Sequence, residues 1–490
     1  MGGGAGRGKI GIRRRFMKYL TRCGLLLACG AALYAQAAPA ARTPLDNYVA
    51  APDSHYGYEL VKTVTGSGFN AYILDMTSQA WLTGKEVDRP LWKHWLVIIK
   101  PEKARPGIGL LWINGGSNGN PAPPNVDTNL WAVAMATNSV VADLKMVPNQ
   151  PLVFAADPEK KPRTEDGIIA YGEKEFLKTG DPKWIVRLPM TKSAVRAMDT
   201  VTAFLATEQG GGLKVDRFMV AGGSKRGWTT WTTGAVDSRV VALGPAVIDV
   251  LHTLPSLRHH WRAYGFWAPA IADYHDILNT EMNNPRMREN SKIEDPYEYR
   301  ERLTMPKYIV NSAGDQYFPP DSSQFYFADL KGEKYIRYVA NTDHSLKRSD
   351  AYQTLGAFYL SILDGTPRPK FSWTFEKNGA IRVKTVDKPS EVKLWAAHNP
   401  NTRDFRLEAI GPAYQSTELK PDAQGEYVGE VAKPESGWTA YFVELTFPSG
   451  GKFPFKFTTE VRVTPDTLPF PDPAAVAPPL TRPHSRNLGR

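Results

Sequence analysis

Ser224 occupies a place where a hydroxyl can become a nucleophile. It ends the stretch Phe218-Met-Val-Ala-Gly-Gly-Ser224 and is followed by Lys225-Arg-Gly-Trp228: an apolar strand, small residues, then a helix-compatible segment. A strand-to-helix turn this sharp holds Ser in a strained backbone conformation that only small neighbours permit. It also aims the hydroxyl at a helix N-terminus, which favours developing negative charge. The usual spacing is Gly-x-Ser-x-Gly; here Arg226 takes the second small position and Gly227 comes one residue later. A glycine-rich turn without catalysis is the plain alternative.

A serine hydroxyl needs a base. His344, in Asn341-Thr-Asp-His-Ser345, follows an apolar run ending at Ala340 and lies after Ser224 in the chain. His252, His259, His260 and His275 sit in or near an aromatic insertion, His398 in a β-rich region, and His55 and His94 precede the serine. A third group must orient the imidazole and stabilise its charged form. Asp315 fits, because it follows the strand-like run Lys307 to Ser312 through Ala313-Gly314. Asp249, Asp321 and Asp343 are its rivals; Asp343 is adjacent to His344 and would point away, and Asp321 suits a helix cap.

An acyl-transfer intermediate carries an oxyanion that preorganised N–H groups must receive. The backbone N–H of Lys225 is one expected donor. Gly115 or Gly116, in Asn114-Gly-Gly-Ser-Asn-Gly119 after an apolar run, is the expected second, unless that segment is an ordinary turn. Lys225 and Arg226 place two cations beside Ser224. They would anchor an anionic substrate group or pair with local carboxylates; Arg226 and Trp228 are the candidate substrate contacts.

These residues need a scaffold. Apolar runs at 95–99, 108–113, 139–144, 217–221, 240–250, 307–312 and 334–340 predict strands, several buried on both faces. Met190, Ala194, Ala197, Met198, Val201 and Leu205 mark one face of a helix, and 58–82 reads as a hairpin about Gly66-Ser67-Gly68. Strands alternating with helices imply a largely parallel sheet covered on both sides. With the nucleophile, acid and base in that chain order, the expectation is α/β, an α/β-hydrolase fold over 45–365. Residues 251–300, rich in His, Trp and Tyr, form an insertion expected to act as a lid or pocket wall, or to be ordinary packed helix. After Gly365-Thr-Pro-Arg-Pro369, alternating segments over 371–463 predict a small C-terminal β-sandwich, and 464–490 a Pro-rich disordered tail.

The chain has 490 residues and a net charge of +10. Seven cations (Arg7, Lys9, Arg13, Arg14, Arg15, Lys18, Arg22) lie in the first 37 residues, which hold no acid, so the remainder carries +3. That gives no electrostatic case for nucleic-acid binding. Residues 1–37 read as a signal peptide: a basic start, the apolar run Cys23 to Tyr34, and Ala35-Gln-Ala37 as a cleavage site. The run is too short to span a bilayer, so no stable membrane span is expected after processing. Arg13-Arg-Arg-Phe-Met-Lys18 resembles a twin-arginine export motif, with a merely basic leader as the alternative. The expected location is periplasmic or secreted. Both cysteines lie in the leader, which excludes disulfides, thiolate catalysis and Cys-based metal sites from the mature chain. No metal and no cofactor is expected.

Gly222-Gly-Ser-Lys-Arg-Gly-Trp-Thr-Thr-Trp231, Trp112-Ile-Asn-Gly-Gly116, Ser312-Ala-Gly-Asp-Gln-Tyr-Phe318, Leu394-Trp-Ala-Ala-His-Asn-Pro400 and Gly437-Trp-Thr-Ala-Tyr-Phe-Val-Glu-Leu445 together resemble the PhoPQ-activated pathogenicity-related protein family, from about Leu45 to Val463. The resemblance implies an α/β-hydrolase-like fold and export, and a eukaryotic branch includes an autocrine proliferation repressor; it names no substrate. Glucuronoyl esterases show a similar Gly-x-Ser-Arg-x-Gly elbow. Three functions stand at this point. The first is a serine hydrolase of carboxylic esters or acyl groups. The second is a dipeptidyl-peptidase-like enzyme, which would need an amine-binding acidic pair such as Glu294 and Glu298. The third is a non-catalytic binding protein on the same fold. A small-molecule or peptide substrate is the expected partner.

Overall fold

The strongest structural determinant is a run of strands apolar on both faces. In the strand Val215–Gly223, Phe218, Met219, Val220 and Ala221 are fully buried, as a central parallel strand requires. The computed structural model describes residues 1–2 and 42–473. The leader assigned to 1–37 therefore lies outside the described residues, apart from the first two. Among the described residues no helix is long and apolar enough to cross a membrane.

The strands are β1 (Gly57–Gly66), β2 (Phe69–Ala80), β3 (Leu91–Pro101), β4 (Gly107–Ile113), β5 (Val141–Leu144), β6 (Val215–Gly223), β7 (Val240–Ala246), β8 (Lys307–Ser312), β9 (Lys334–Val339), β10 (Phe371–Phe375), β11 (Ile381–Thr385), β12 (Glu391–Asn399), β13 (Gln415–Glu418), β14 (Tyr427–Gly429), β15 (Trp438–Phe447), β16 (Phe455–Thr458) and β17 (Arg462–Thr464). β1 and β2 form the expected hairpin, with Gly66 opposite Phe69. The sheet runs β1-β2-β3-β5-β4-β6-β7-β8-β9. β5, β4, β6, β7, β8 and β9 are parallel, so their carboxyl ends share one edge. This is the α/β-hydrolase arrangement, and ligands in such sheets gather at that edge. The helix Arg187–Ala206 covers one face and buries Met190, Met198, Val201 and Leu205 completely. Each such side chain stabilises the fold by about 1.5–3 kcal/mol relative to exposure.

The C-terminal region has two β layers. β10, β11 and β14 form a small sheet whose Ile381, Val383 and Tyr427 share a core with Leu394, Val443 and Leu445 of β12 and β15. The larger layer is an extension of the main sheet: β16 joins the edge of β9 at Thr458 and Ile336, and β15, β12 and β13 follow. The described residues from Thr43 onward accordingly form one compact unit. The tail expected to be disordered from 464 is instead held over its first ten residues. β17 ends at Thr464 against β15, and the Phe470 amide donates to the Arg262 carbonyl (3.2 Å).

Candidate active site

Ser224 sits between β6 and the helix Lys225–Val236 with φ 58° and ψ −131°, a strained conformation for a residue with a side chain. Its N–H donates to the Ala246 carbonyl on β7 (2.8 Å), which fixes the turn against the sheet. The unusual spacing has a geometric reason. A Cβ on Gly222 would lie 2.9 Å from the Arg226 carbonyl oxygen and 3.0 Å from the Arg226 Cβ. A Cβ on Gly227 would lie 2.9 Å from the Ala246 oxygen. Arg226 can carry a side chain at the second position because Gly222 lacks one, and the glycine at 227 admits the first helical turn to β7.

Asp315 follows β8 and His344 follows β9. Asp315 is buried, and its two oxygens accept from His344 Nδ1 at 2.8 and 3.0 Å. Its Oδ1 also accepts the Tyr317 N–H (2.8 Å), and Gln316 Oε1 accepts the His344 N–H (2.8 Å). The two loops are stitched together: Ser312 Oγ donates to the Thr342 carbonyl (2.7 Å) and receives the Gly314 N–H (3.1 Å). With Nδ1–H committed to Asp315, the neutral ring presents Nε2 as an acceptor. Nε2 is buried and has no hydrogen-bond partner among the described residues. His344 and Ser224 line one cavity, but no hydrogen bond joins them. Catalytic hydrogen bonds are often open before substrate binds.

The rival carboxylates have other occupations. Asp249 accepts from the phenols of Tyr326 and Tyr338, both at 2.6 Å, and burial pushes it up to about 8. Asp321 is no helix cap. It receives His259 Nε2 (2.9 Å) and Arg403 Nη2 (2.7 Å), and against the effect of burial these two partners hold it far below the carboxylate range. Asp343 receives the Ser345 N–H (2.9 Å).

Two expected roles are corrected. Arg226 is not free to bind substrate: its guanidinium forms a two-pronged pair with Glu165 (2.7 and 2.6 Å) and its Nε donates to the Val147 carbonyl (2.5 Å). Lys225 Nζ is likewise held by Glu165 (2.8 Å) and Asp166 (3.3 Å). Burial opposes ionisation of Glu165, yet Arg226 and Lys225 bring it down to about 2. The two cations clamp the elbow helix to the first turn of the helix Glu165–Thr179 and to the loop at Val147. Gly115 is not an open oxyanion donor, since its N–H donates to Asn114 Oδ1 (2.9 Å); a Cβ there would strike Arg226 Nη2 at 2.7 Å. The N–H groups of Gly116 (φ 136°) and Lys225 take no hydrogen bond among the described residues.

Ser224 also opens on a second cavity, roofed by the 251–300 insertion through Leu254, Leu257, Ile271, Ile277 and Met287. Trp228 forms part of its wall and donates Nε1 to the Glu294 carbonyl (2.7 Å). Glu294 lies in this cavity; Glu298 is on the surface. Glu173, Arg187 and Asn290 line it too and had no sequence signal, because they come from three separate helices.

The family model for PhoPQ-activated pathogenicity-related protein matches residues 45–406. Autocrine proliferation repressor protein A of Dictyostelium discoideum is 37% identical over 87% of this chain and 92% of its own. Among solved structures, an acetyl xylan esterase from Paenibacillus sp. R4 (16% identity, 65% of this chain and 90% of that one) and acetyl xylan esterase 1 from Thermoanaerobacterium sp. JW/SL YS485 (16%, 65% and 93%) each superpose with a TM-score of 0.45. By the extent of the family match and the identity of the curated relative, the chain belongs to the PhoPQ-activated pathogenicity-related protein family.

Proposed function

We propose that the protein is an exported serine hydrolase that cleaves a carboxylic ester or acyl bond through Ser224, His344 and Asp315. The observation that carries this is the His344–Asp315 pair, whose second ring nitrogen has no partner among the described residues, on a residue that lines the same cavity as Ser224. Ser224 Oγ attacks the acyl carbon and its proton passes to His344 Nε2. Asp315 stabilises the imidazolium, and the oxyanion is received by the N–H groups of Lys225 and Gly116. The intermediate collapses as His344 returns the proton to the leaving oxygen or nitrogen. Water, activated by the same imidazole, then releases the acid and restores Ser224. The peptidase alternative calls for a negatively charged pair to hold an amine. Glu298 is exposed, and Glu294 shares its surroundings with Arg187, so the acyl-ester reading is favoured.

The test is fluorophosphonate labelling of the mature protein. Ser224 is expected to be labelled and Ser224→Ala not. A wild type that resists the probe would leave the non-catalytic binding reading in its place. Export is tested separately by the mass of the protein recovered outside the cytoplasm, expected to begin after Ala37.

A further inference from the structure

Ser224 stands at the junction of two cavities, and the chemistry of acyl transfer assigns a substrate part to each. His344 must protonate the leaving group, so the leaving group lies in the cavity that His344 lines, with Leu346 and Tyr352. The acyl group then points into the other cavity, under the insertion, which His344 does not line. That cavity is lined by aliphatic, aromatic and polar side chains, and some of its polar groups are unusual. Among the described residues, Arg187 Nε and Nη1 are buried donors without acceptors and Asn290 Oδ1 is a buried acceptor without a donor; each of the two residues is at most 6% exposed. A buried group left unpaired costs about 1–3 kcal/mol, so three in one cavity point to a ligand that satisfies them.

Most of the charged groups around them have partners. Burial, then the nearby Glu294 carboxyl, pushes the Glu173 carboxyl well above its ordinary value, and burial raises Glu294, which stands within hydrogen-bonding reach of Glu173. Arg187 is stacked 4.4 Å over Trp228. Asp166 is paired with Lys225 and receives the Tyr274 hydroxyl (3.0 Å), and Asp295 is held by the Thr253 and Tyr297 N–H groups (2.7 and 3.0 Å). A hydroxyl, which donates and accepts without charge, suits both the orphaned donors and the orphaned acceptor.

We propose that the cavity beneath the insertion binds the acyl part of the substrate and selects an uncharged aliphatic chain bearing a hydroxyl at its far end, received by Arg187 and Asn290 beside the Glu173 and Glu294 carboxyls. Trp228, one helical turn beyond Ser224, forms part of the wall, and its indole reaches the backbone of Glu294.

This assignment rests on the hydrolase reading, and the experiment separates the two. Hydrolysis of p-nitrophenyl esters of hexanoic, 6-hydroxyhexanoic, 6-aminohexanoic and adipic acid is measured with the mature chain. The hydroxy ester is expected to exceed the unsubstituted one in kcat/KM by on the order of 10-fold, and the charged esters to fall below it. In Asn290→Leu and in the near-isosteric Glu294→Gln, each checked for folding by circular dichroism, that ratio drops toward one. A ratio near one in the wild type, or a preference for the amine or the acid, overturns the assignment. Fluorophosphonate labelling of Ser224 reports on the hydrolase reading independently. If labelling and turnover are both absent, calorimetric titration with 6-hydroxyhexanamide and hexanamide still decides: tighter binding of the hydroxyl compound supports the assignment, and equal or weaker binding overturns it.

Discussion

Asp315 earns its place by what it does to one ring nitrogen. In the proposed mechanism, holding Nδ1–H fixes the neutral tautomer of His344 that leaves Nε2 free to take a proton from Ser224. Asp315→Asn preserves shape but offers an amide where an acceptor is needed. Turnover is expected to fall by about 10⁴-fold with little change in melting temperature, measured on any ester the wild type cleaves. Asp249 makes the opposite case at the same scale. Burial raises its carboxyl to about 8, so the folded protein keeps a proton that the unfolded chain releases near its ordinary value. The native state thus binds more protons than the unfolded state between about pH 4 and 8, and stability falls as pH rises through that window. Asp249→Asn lacks this titration. The melting temperature of wild type minus variant is expected to decline from pH 5 to pH 9; a flat or rising difference would show that Asp249 is ionised in the native state.

At the scale of elements, the elbow turns on which glycine faces backbone. A methyl at Gly222 meets the Arg226 carbonyl at 2.9 Å, whereas one at Gly223 meets only Val247 Cγ2 at an ordinary 3.7 Å. Gly222→Ala is therefore expected to cost about 1–3 kcal/mol in denaturant unfolding and to lose fluorophosphonate labelling, while Gly223→Ala costs much less stability. The elbow, Asp315 and His344 were legible in sequence because each depends on a short local pattern: an apolar strand ending in small or turn residues at the carboxyl edge of a sheet. The clamp on Arg226 was not, since Glu165 lies far back in the chain and no periodicity links the two. Gly115 misled for a related reason. A glycine pair after a strand suggests open N–H groups, but its lack of a side chain serves the Arg226 guanidinium. The polar groups of the second cavity were illegible because only the packing of three helices brings Glu173, Arg187 and Asn290 together.

At the scale of the whole molecule, the C-terminal β region reads in sequence as a separable module after the Gly/Pro linker, but the fold builds it into the site. β16 pairs with β9, the strand that delivers His344. The Leu407 N–H donates to the Gly314 carbonyl (2.9 Å), beside Asp315, and Asn341 exchanges hydrogen bonds with the backbone of Tyr414 (2.8 and 2.9 Å). Arg403 reaches Asp321, which also holds His259 of the insertion, so one buried carboxylate ties the C-terminal region to the cavity roof. Removing one member of such a buried set leaves an uncompensated charge, and Asp321→Asn is expected to cost about 3–5 kcal/mol. Truncation after Gly365 removes every one of these supports and bares the edge of β9. A true module would leave a soluble fragment whose Ser224 still takes the fluorophosphonate label. The arrangement of β16, Leu407 and Arg403 leads instead to an aggregating fragment that does not label, and a soluble, labelled 43–365 would show that the α/β body positions His344 unaided.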